Sequence, residues 1–234
     1  MPVPAPPAPE EPIAVIGDVH GCAALLDRLL ERLAEEAPAA RKIFVGDLID
    51  RGDDSAGTLA RLRELPDAVC LQGNHEEICF DFLHAPEDQG PRWLKVGGLQ
   101  TLASFGIGGL SISSRGAALS KARDDLVAAM GEATLDWLRG LPSSWQSGNV
   151  LVTHAGADPA VPPGAQADAV LHWGHRDFGR VPRQDGVWVV HGHVIVDEVR
   201  IRDGRISVDT GAYAHGRLSA VVLAPGEDAR VVTT

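Results

Sequence analysis

A chain of 234 residues has room for one domain with a substantial core, and its 44% hydrophobic and 23% charged residues are those of an ordinary globular protein. The net charge of -11 argues against binding to nucleic-acid duplexes or anionic membrane, both of which rely on Lys and Arg facing phosphate. No apolar run approaches the ~20 residues that span a bilayer, and three cysteines, Cys22, Cys70 and Cys79, odd in number and without zinc spacing, fit reduced thiols in a cytoplasm.

The first twelve residues hold six prolines, no basic cluster and no apolar core, so they read as a stiff, disordered polyproline arm rather than a secretory signal. A single domain is expected from 13 to 234. Residues 13–16 form the first apolar strand. Leu25, Leu26, Leu29, Leu30 and Leu33 then recur at helical spacing, with Asp27, Arg28, Glu31 and Arg32 on the other face. Residues 43–45 form the second strand. Ser55 is an N-cap candidate for a helix carrying Leu59, Leu62 and Leu65, which Pro66 ends. Residues 68–71 form the third strand, and this βαβαβ order predicts parallel pairing. Between about 91 and 146 strand signals fade into helical patterns, read as a helical insert over the site. Strands return at 150–152, 187–190, 198–201, 205–208, 218–223 and 230–232, with Asp203-Gly204 as a hairpin turn.

Five of the apolar strands end in ligand-type residues beside glycine. Gly17-Asp18-Val19-His20-Gly21 follows the first, and Gly46-Asp47-Leu48-Ile49-Asp50-Arg51-Gly52 the second. Gly73-Asn74-His75-Glu76, His154-Ala155-Gly156 and His191-Gly192-His193 follow the others. Charge at a buried strand end is costly unless paired or metal-bound. The joint pattern predicts one binuclear metal site. Asp18 and His20 alternate along an extended segment and would hold one ion; Asn74, His154 and His193 would hold the other, and Asp47 would bridge. Oxygen and nitrogen ligands without thiolate favour Mn²⁺, with Fe or Zn²⁺ as alternatives. A water between two such ions loses a proton near neutral pH and can attack phosphorus. His75 is the candidate proton donor to the leaving oxygen, oriented by Asp50, and Arg51 the fork for phosphate oxygens.

Other polar and aromatic residues carry plainer expectations. His84, His172 and His215 lack this context and read as structural or surface groups, and Trp137 and Trp145 as core. Cys22 opens a helix beside the site and reads as packing. His191 is open to two readings, ligand or supporting group, with the second preferred.

These blocks, in this order, resemble the signature blocks of the phosphoprotein-phosphatase (PPP) family of calcineurin-like metallophosphoesterases, in its small bacterial form. Asp209-Thr210-Gly211-Ala212 resembles a late block of the same members. The resemblance implies an α/β, four-layer α-β-β-α sandwich. It implies Asp18, His20 and Asp47 on one metal and Asp47, Asn74, His154 and His193 on the other. It also implies His75 as general acid with Asp50, and Arg51 and Asn74 on phosphate. The small members carry Trp-x-Arg after the His-Ala-Gly block, where this chain has Trp173-Gly174-His175-Arg176. Either Arg176 or His175 fills the arginine's slot, with Arg176 preferred. The expected activity is hydrolysis of phosphate monoesters, first of phosphoserine or phosphothreonine in proteins. The alternatives are a dinucleoside tetraphosphatase and a module that binds without turnover.

Overall fold

The computed structural model describes residues 5–234. Two five-stranded sheets pack face to face. The first has the order β10-β9-β1-β2-β3 and contains β1 (Ile13–Ile16), β2 (Arg41–Phe44), β3 (Val69–Cys70), β9 (Ser219–Leu223) and β10 (Arg230–Thr233). The second has the order β4-β5-β6-β8-β7 and contains β4 (Ser144–Ser147), β5 (Val150–Thr153), β6 (Trp188–His191), β7 (Arg200–Arg202) and β8 (Arg205–Ser207). Within the sheets, β1, β2 and β3 run parallel, as do β5, β6 and β8. Edge strands β4, β7 and β10 are antiparallel to their neighbours.

Alternation along each strand sorts the side chains into layers. Val15, Ile43 and Val45 meet Val152, Val190 and Ile206 between the sheets. Ala14, Ile16 and Phe44 face the other way, onto Leu26, Leu29 and Leu33 of α1 (Ala23–Glu36). Burial on both faces explains why these strands read as unbroken apolar runs rather than as alternating ones. The first sheet's outer layer continues with α2 (Ser55–Glu64), capped by Asp54 rather than Ser55, through Asp54 Oδ1 accepting from the Gly57 N–H at 2.7 Å. It then runs through α3 (Asn74–His84), α4 (Pro86–Trp93), a π-helical turn at Leu94–Gly98, α5 (Leu99–Ser104), α6 (Ala117–Met130) and α7 (Glu132–Arg139). On the second sheet, α8 (Asp168–Trp173) and the loop after it cover part of the outer face, while α9 (Ala212–His215) leads into β9.

Two further expectations change. Residues 5–12 are not a free arm: Ala8 N–H donates to Asn149 Oδ1 at 2.6 Å and Glu10 N–H to Ser147 Oγ at 2.9 Å, so this stretch is tied along the second sheet. Residues 1–4 of the expected arm lie outside the described residues. Strand β4 was not anticipated; its hairpin to β5 turns on Gly148-Asn149, with Gly148 at φ 53°, a two-residue turn signal legible in the chain. No helix among the described residues is long and apolar enough to cross a membrane.

Candidate metal centre

The parallel strands of both sheets deliver their C-terminal ends to one edge, where ligands gather in such folds. The loops after β1, β2, β3, β5 and β6 bring Asp18, His20, Asp47, Asn74, His154 and His193 there, all buried or nearly so. Asp47 sits between two groups of metal-ligating atoms, one with His20 and His75 and one with His154 and His193, each within 4.8 Å. Its Oδ2 lies 3.4 Å from His20 Nε2 and its Oδ1 3.4 Å from His154 Nε2. One carboxylate thus offers an oxygen to each group, the arrangement a bridging ligand requires.

The tautomers point the same way. His20 Nδ1 is 2.9 Å from the Ile49 carbonyl and His154 Nδ1 is 3.1 Å from the Val45 carbonyl. A carbonyl only accepts, so Nδ1 carries the proton and each Nε2 presents a lone pair, as metal-binding histidines do. Burial lowers His20 to about 3 and His154 to about 4, which keeps both rings neutral at pH 7. His154 Nε2 nevertheless lies 2.8 Å from Asn74 Oδ1 and 3.2 Å from His193 Nδ1, and Asn74 Oδ1 is 2.9 Å from that same His193 nitrogen. A neutral imidazole lone pair confronting an amide oxygen is repulsive without a cation between them. The acids argue likewise: Asp18, Asp47, Glu76 and Asp209 are all 3% exposed or less. Burial first, then Asp209 and Asp47, push Asp18 well above the carboxylate range. Buried carboxylates this close call for positive charge, and the donor set fits divalent cations.

Among the expected histidine and carboxylate ligands, Asp18 is the one outside both groups. Its carboxylate oxygens accept the His193 backbone N–H at 3.0 and 3.2 Å, and His75 stands with His20 and Asp47 instead. His75 Nδ1 is 2.8 Å from Asp50 Oδ2, and its Nε2 is 3.0 Å from Arg51 Nη2. Burial pulls His75 down, but Asp47 and Asp50 outweigh it and raise the ring above its ordinary value. Asp50 is fully buried and is held by Thr101 Oγ1 at 2.6 Å and Trp93 Nε1 at 3.0 Å. The helical stretch expected over the site thus backs the Asp50-His75 pair. Gly97, at φ 128°, lets its turn close on Arg51: a side chain there would put its Cβ 2.5 Å from the Arg51 nitrogen.

Three further residues carry the site, though the sequence assigned none of them a role there. Glu76 accepts backbone N–H groups from Asp47 at 2.9 Å, Leu48 at 2.8 Å and Gly73 at 2.8 Å, tying two ligand loops together. A Cβ on Gly73 would lie 2.2 Å from Asp47 Oδ1, so only glycine permits that approach. Tyr213 accepts from Arg51 Nη1, stacks beneath its guanidinium at 4.7 Å and meets the His20 ring edge-on at 5.1 Å. Asp209 lies among the site's carboxylates and caps the Gly211 N–H at 2.9 Å.

Arg176 does not reach the centre. Its side chain is 85% exposed and pairs only with Asp177, at 3.6 Å. Gly174, at φ 86°, ends α8 and turns the following residues outward. His175 does not replace it; its ring faces Asp158 at 3.7 Å. His191 lies outside both groups, with Ser207 Oγ 2.9 Å from its Nε2 and the Gly192 carbonyl 3.0 Å from its Nδ1. Cys22 is raised by burial to about 11, in keeping with packing.

The family pattern of calcineurin-like phosphoesterases matches residues 11–197. The chain belongs to the calcineurin-like phosphoesterase family. It is 40% identical over 84 residues to serine/threonine-protein phosphatase 1 of Salmonella typhimurium, a match covering 36% of this chain and 38% of that protein. It is 32% identical over 146 residues to a symmetrical bis(5'-nucleosyl)-tetraphosphatase of Janthinobacterium, covering 62% of this chain and 43% of that one. The chain spans less than half the length of these curated relatives. Its fold superposes on a protein serine/threonine phosphatase from Saccharomyces cerevisiae with a TM-score of 0.59 at 19% identity, covering 96% of this chain and 80% of the other. Members of this phosphoesterase family carry divalent metal, which the two histidine-aspartate groups sharing Asp47 are suited to hold.

Proposed function

We propose that this calcineurin-like phosphoesterase hydrolyses phosphate monoesters, first among them phosphoserine and phosphothreonine in proteins, and that residues 13–234 form one catalytic domain. The observation that carries the reading is Asp47, one carboxylate oxygen toward each group, with the His75-Asp50 pair and Arg51 beside it. His20, Asp47 and Asp18 would hold one ion and Asp47, Asn74, His154 and His193 the other. Mn²⁺ is the first choice for this oxygen-and-nitrogen set, ahead of Fe or Zn²⁺. When bound, the ions supply Lewis acidity toward the phosphoryl oxygens and toward a water nucleophile.

The chain's own residues do the rest. Arg51, steadied by Tyr213, turns its fork from His75 to two phosphoryl oxygens, and Asn74 borders the same group. That frees His75 Nε2 to protonate the ester oxygen as the phosphorus–oxygen bond breaks, so alcohol departs rather than alkoxide. Asp50 accepts the Nδ1 proton's hydrogen bond throughout and stabilises the ring while it is charged. Three unpaired cysteines fit action in a reducing cytoplasm.

A second reading, hydrolysis of bis(5'-nucleosyl) tetraphosphates, is supported by the Janthinobacterium relative. Metal-supplemented turnover of p-nitrophenyl phosphate, a phosphopeptide and diadenosine tetraphosphate ranks the two. No turnover of any of them with Mn²⁺, Fe or Zn²⁺ would overturn the phosphoesterase reading.

A further inference from the structure

Next to the metal centre, and sharing His193 as part of its wall, a groove of about 950 Å³ runs along the outer face of the second sheet. It is far larger than a phosphate group needs, and its size is that of sites enclosing a whole ligand. Strand register sets its depth. His191 pairs with Ser207, which pairs with Arg200; Val189 pairs with Arg205, which pairs with Arg202. Directly paired residues share a sheet face, so arginines stand on two successive rungs leading away from His193. The rungs are two residues apart, or about 6.6 Å.

The charge of this groove is opposite to that of the chain. Four arginines line it, at 176, 200, 202 and 205, against one carboxylate, Glu198, in a protein of net charge -11. Arg205 is fixed in place, donating to the Phe178 carbonyl at 2.9 Å with Asp203 at 3.7 Å. Arg202 is 83% exposed and shares Asp203 at 2.8 Å. Arg200 has no carboxylate partner among the described residues. Arg202 and Arg205 share one carboxylate between two cations, so this pair and Arg200 leave positive charge to spare for an anion arriving from solvent.

The geometry favours an extended peptide over a nucleotide. Side chains of an extended chain recur on one face every two residues, the same step as the arginine rungs. A nucleobase needs an open aromatic face: Phe178 packs against His191 at 4.9 Å, and Trp173, 38% exposed, has Arg92 over its ring at 5.1 Å and lies at the α8 end of the groove rather than on the arginine rungs. We propose that the groove selects phosphopeptides carrying acidic side chains two and four residues from the phosphorylated one, the nearer received by Arg200 and the farther by Arg202 and Arg205. The proposal rests on the phosphoesterase reading above.

The test uses the full chain loaded with Mn²⁺ and two sets of phosphopeptides. One set has Glu at the second and fourth positions on either side of phosphoserine; the other has Ala there. p-Nitrophenyl phosphate serves as the reference substrate. Wild type should prefer a Glu peptide by about tenfold in kcat/KM, the scale of two exposed charge pairs. Raising salt to about 0.5 M should erase most of that preference by screening. In R200E/R202E the ratio of kcat/KM on the Glu peptide to that on p-nitrophenyl phosphate should fall at least tenfold, with Ala peptides now preferred. Equal kcat/KM for Glu and Ala peptides in wild type overturns the proposal without need of the variant. So does a variant whose losses on peptide and on p-nitrophenyl phosphate are equal, or one whose relative loss falls on diadenosine tetraphosphate instead. Failure of wild type on p-nitrophenyl phosphate as well as on every peptide marks the different case in which the phosphoesterase reading itself falls.

Discussion

Replacing Glu76 by Ala should destabilise the metal-free protein by an amount set by its hydrogen bonds. The Glu76 carboxylate is 1% exposed and accepts three short backbone N–H bonds, from Asp47 at 2.9 Å, Leu48 at 2.8 Å and Gly73 at 2.8 Å. Truncation leaves those donors buried and unpaired at about 1–3 kcal/mol each. Burial, and then Asp47, push Glu76 up to about 7, so its removal also relieves a desolvation cost. The balance is a loss of about 3–5 kcal/mol, a large share of a typical domain's stability. At about 2–4 °C per kcal/mol for a chain this long, Tm should fall by about 6–20 °C. Scanning calorimetry in chelator isolates the effect from metal affinity. Glu76→Gln separates shape from chemistry: it keeps the volume but aims an amide N–H₂ at donors. It should recover less than half of the loss. A shift under about 3 °C for Ala, or full recovery by Gln, would show that the carboxylate does not hold the two loops.

His75→Asn should lower kcat by about 10²–10⁴-fold, the usual contribution of a general acid, with metal content by elemental analysis intact. Equal loss of metal and turnover would move His75 into the ligand set, beside His20 and Asp47. Asp47→Ala should abolish binding of both ions, whereas His193→Ala should weaken one; titration calorimetry with Mn²⁺ tells a shared ligand from a private one. Tyr213→Phe keeps the ring under Arg51 but removes the acceptor oxygen. KM for phosphate monoesters should rise about threefold to tenfold, the scale of one ordinary hydrogen bond, with kcat within about twofold. A fall in kcat with KM fixed would place Tyr213 in the chemical step instead.

What could be read from the chain was the set of strand ends. An apolar run followed at once by Asp, Asn or His beside glycine is visible locally, and five such ends fix a common edge once the strands run parallel. Glu76 was hidden because an acid in the first turn of a helix is an ordinary surface feature; only the fold turns it inward onto the loop after β2. Trp93 and Thr101 lie 43 and 51 residues from Asp50 along the chain, and nothing in their spacing marks them as its partners. Arg176 shows the reverse failure. Its proximity to Trp173 argued for the phosphate site, yet a positive φ at Gly174 redirects the backbone, a property that a residue name permits but does not dictate.

Backbone conformation is the part of the centre least legible in side-chain chemistry, and it explains why the supporting bonds are so dense. Seven non-glycine residues among those described have positive φ, and five of them are His20, Asp47, Asp50, Arg51 and His193. Asp and His tolerate this region better than most residues, but each still gives up conformational stability to stay there. A ligand loop left alone would relax and swing its side chain away from the shared edge. Glu76 prevents this after β2, Asp18 holds the His193 N–H, and Thr101 and Ser55 hold the Asp50 N–H at 3.0 and 3.1 Å. The glycines beside these residues leave room for the close approach, and the buried acceptors fix the strained conformers. A centre built in this way keeps much of its shape before any cation arrives, so metal affinity should depend on these backbone acceptors nearly as strongly as on the ligands themselves.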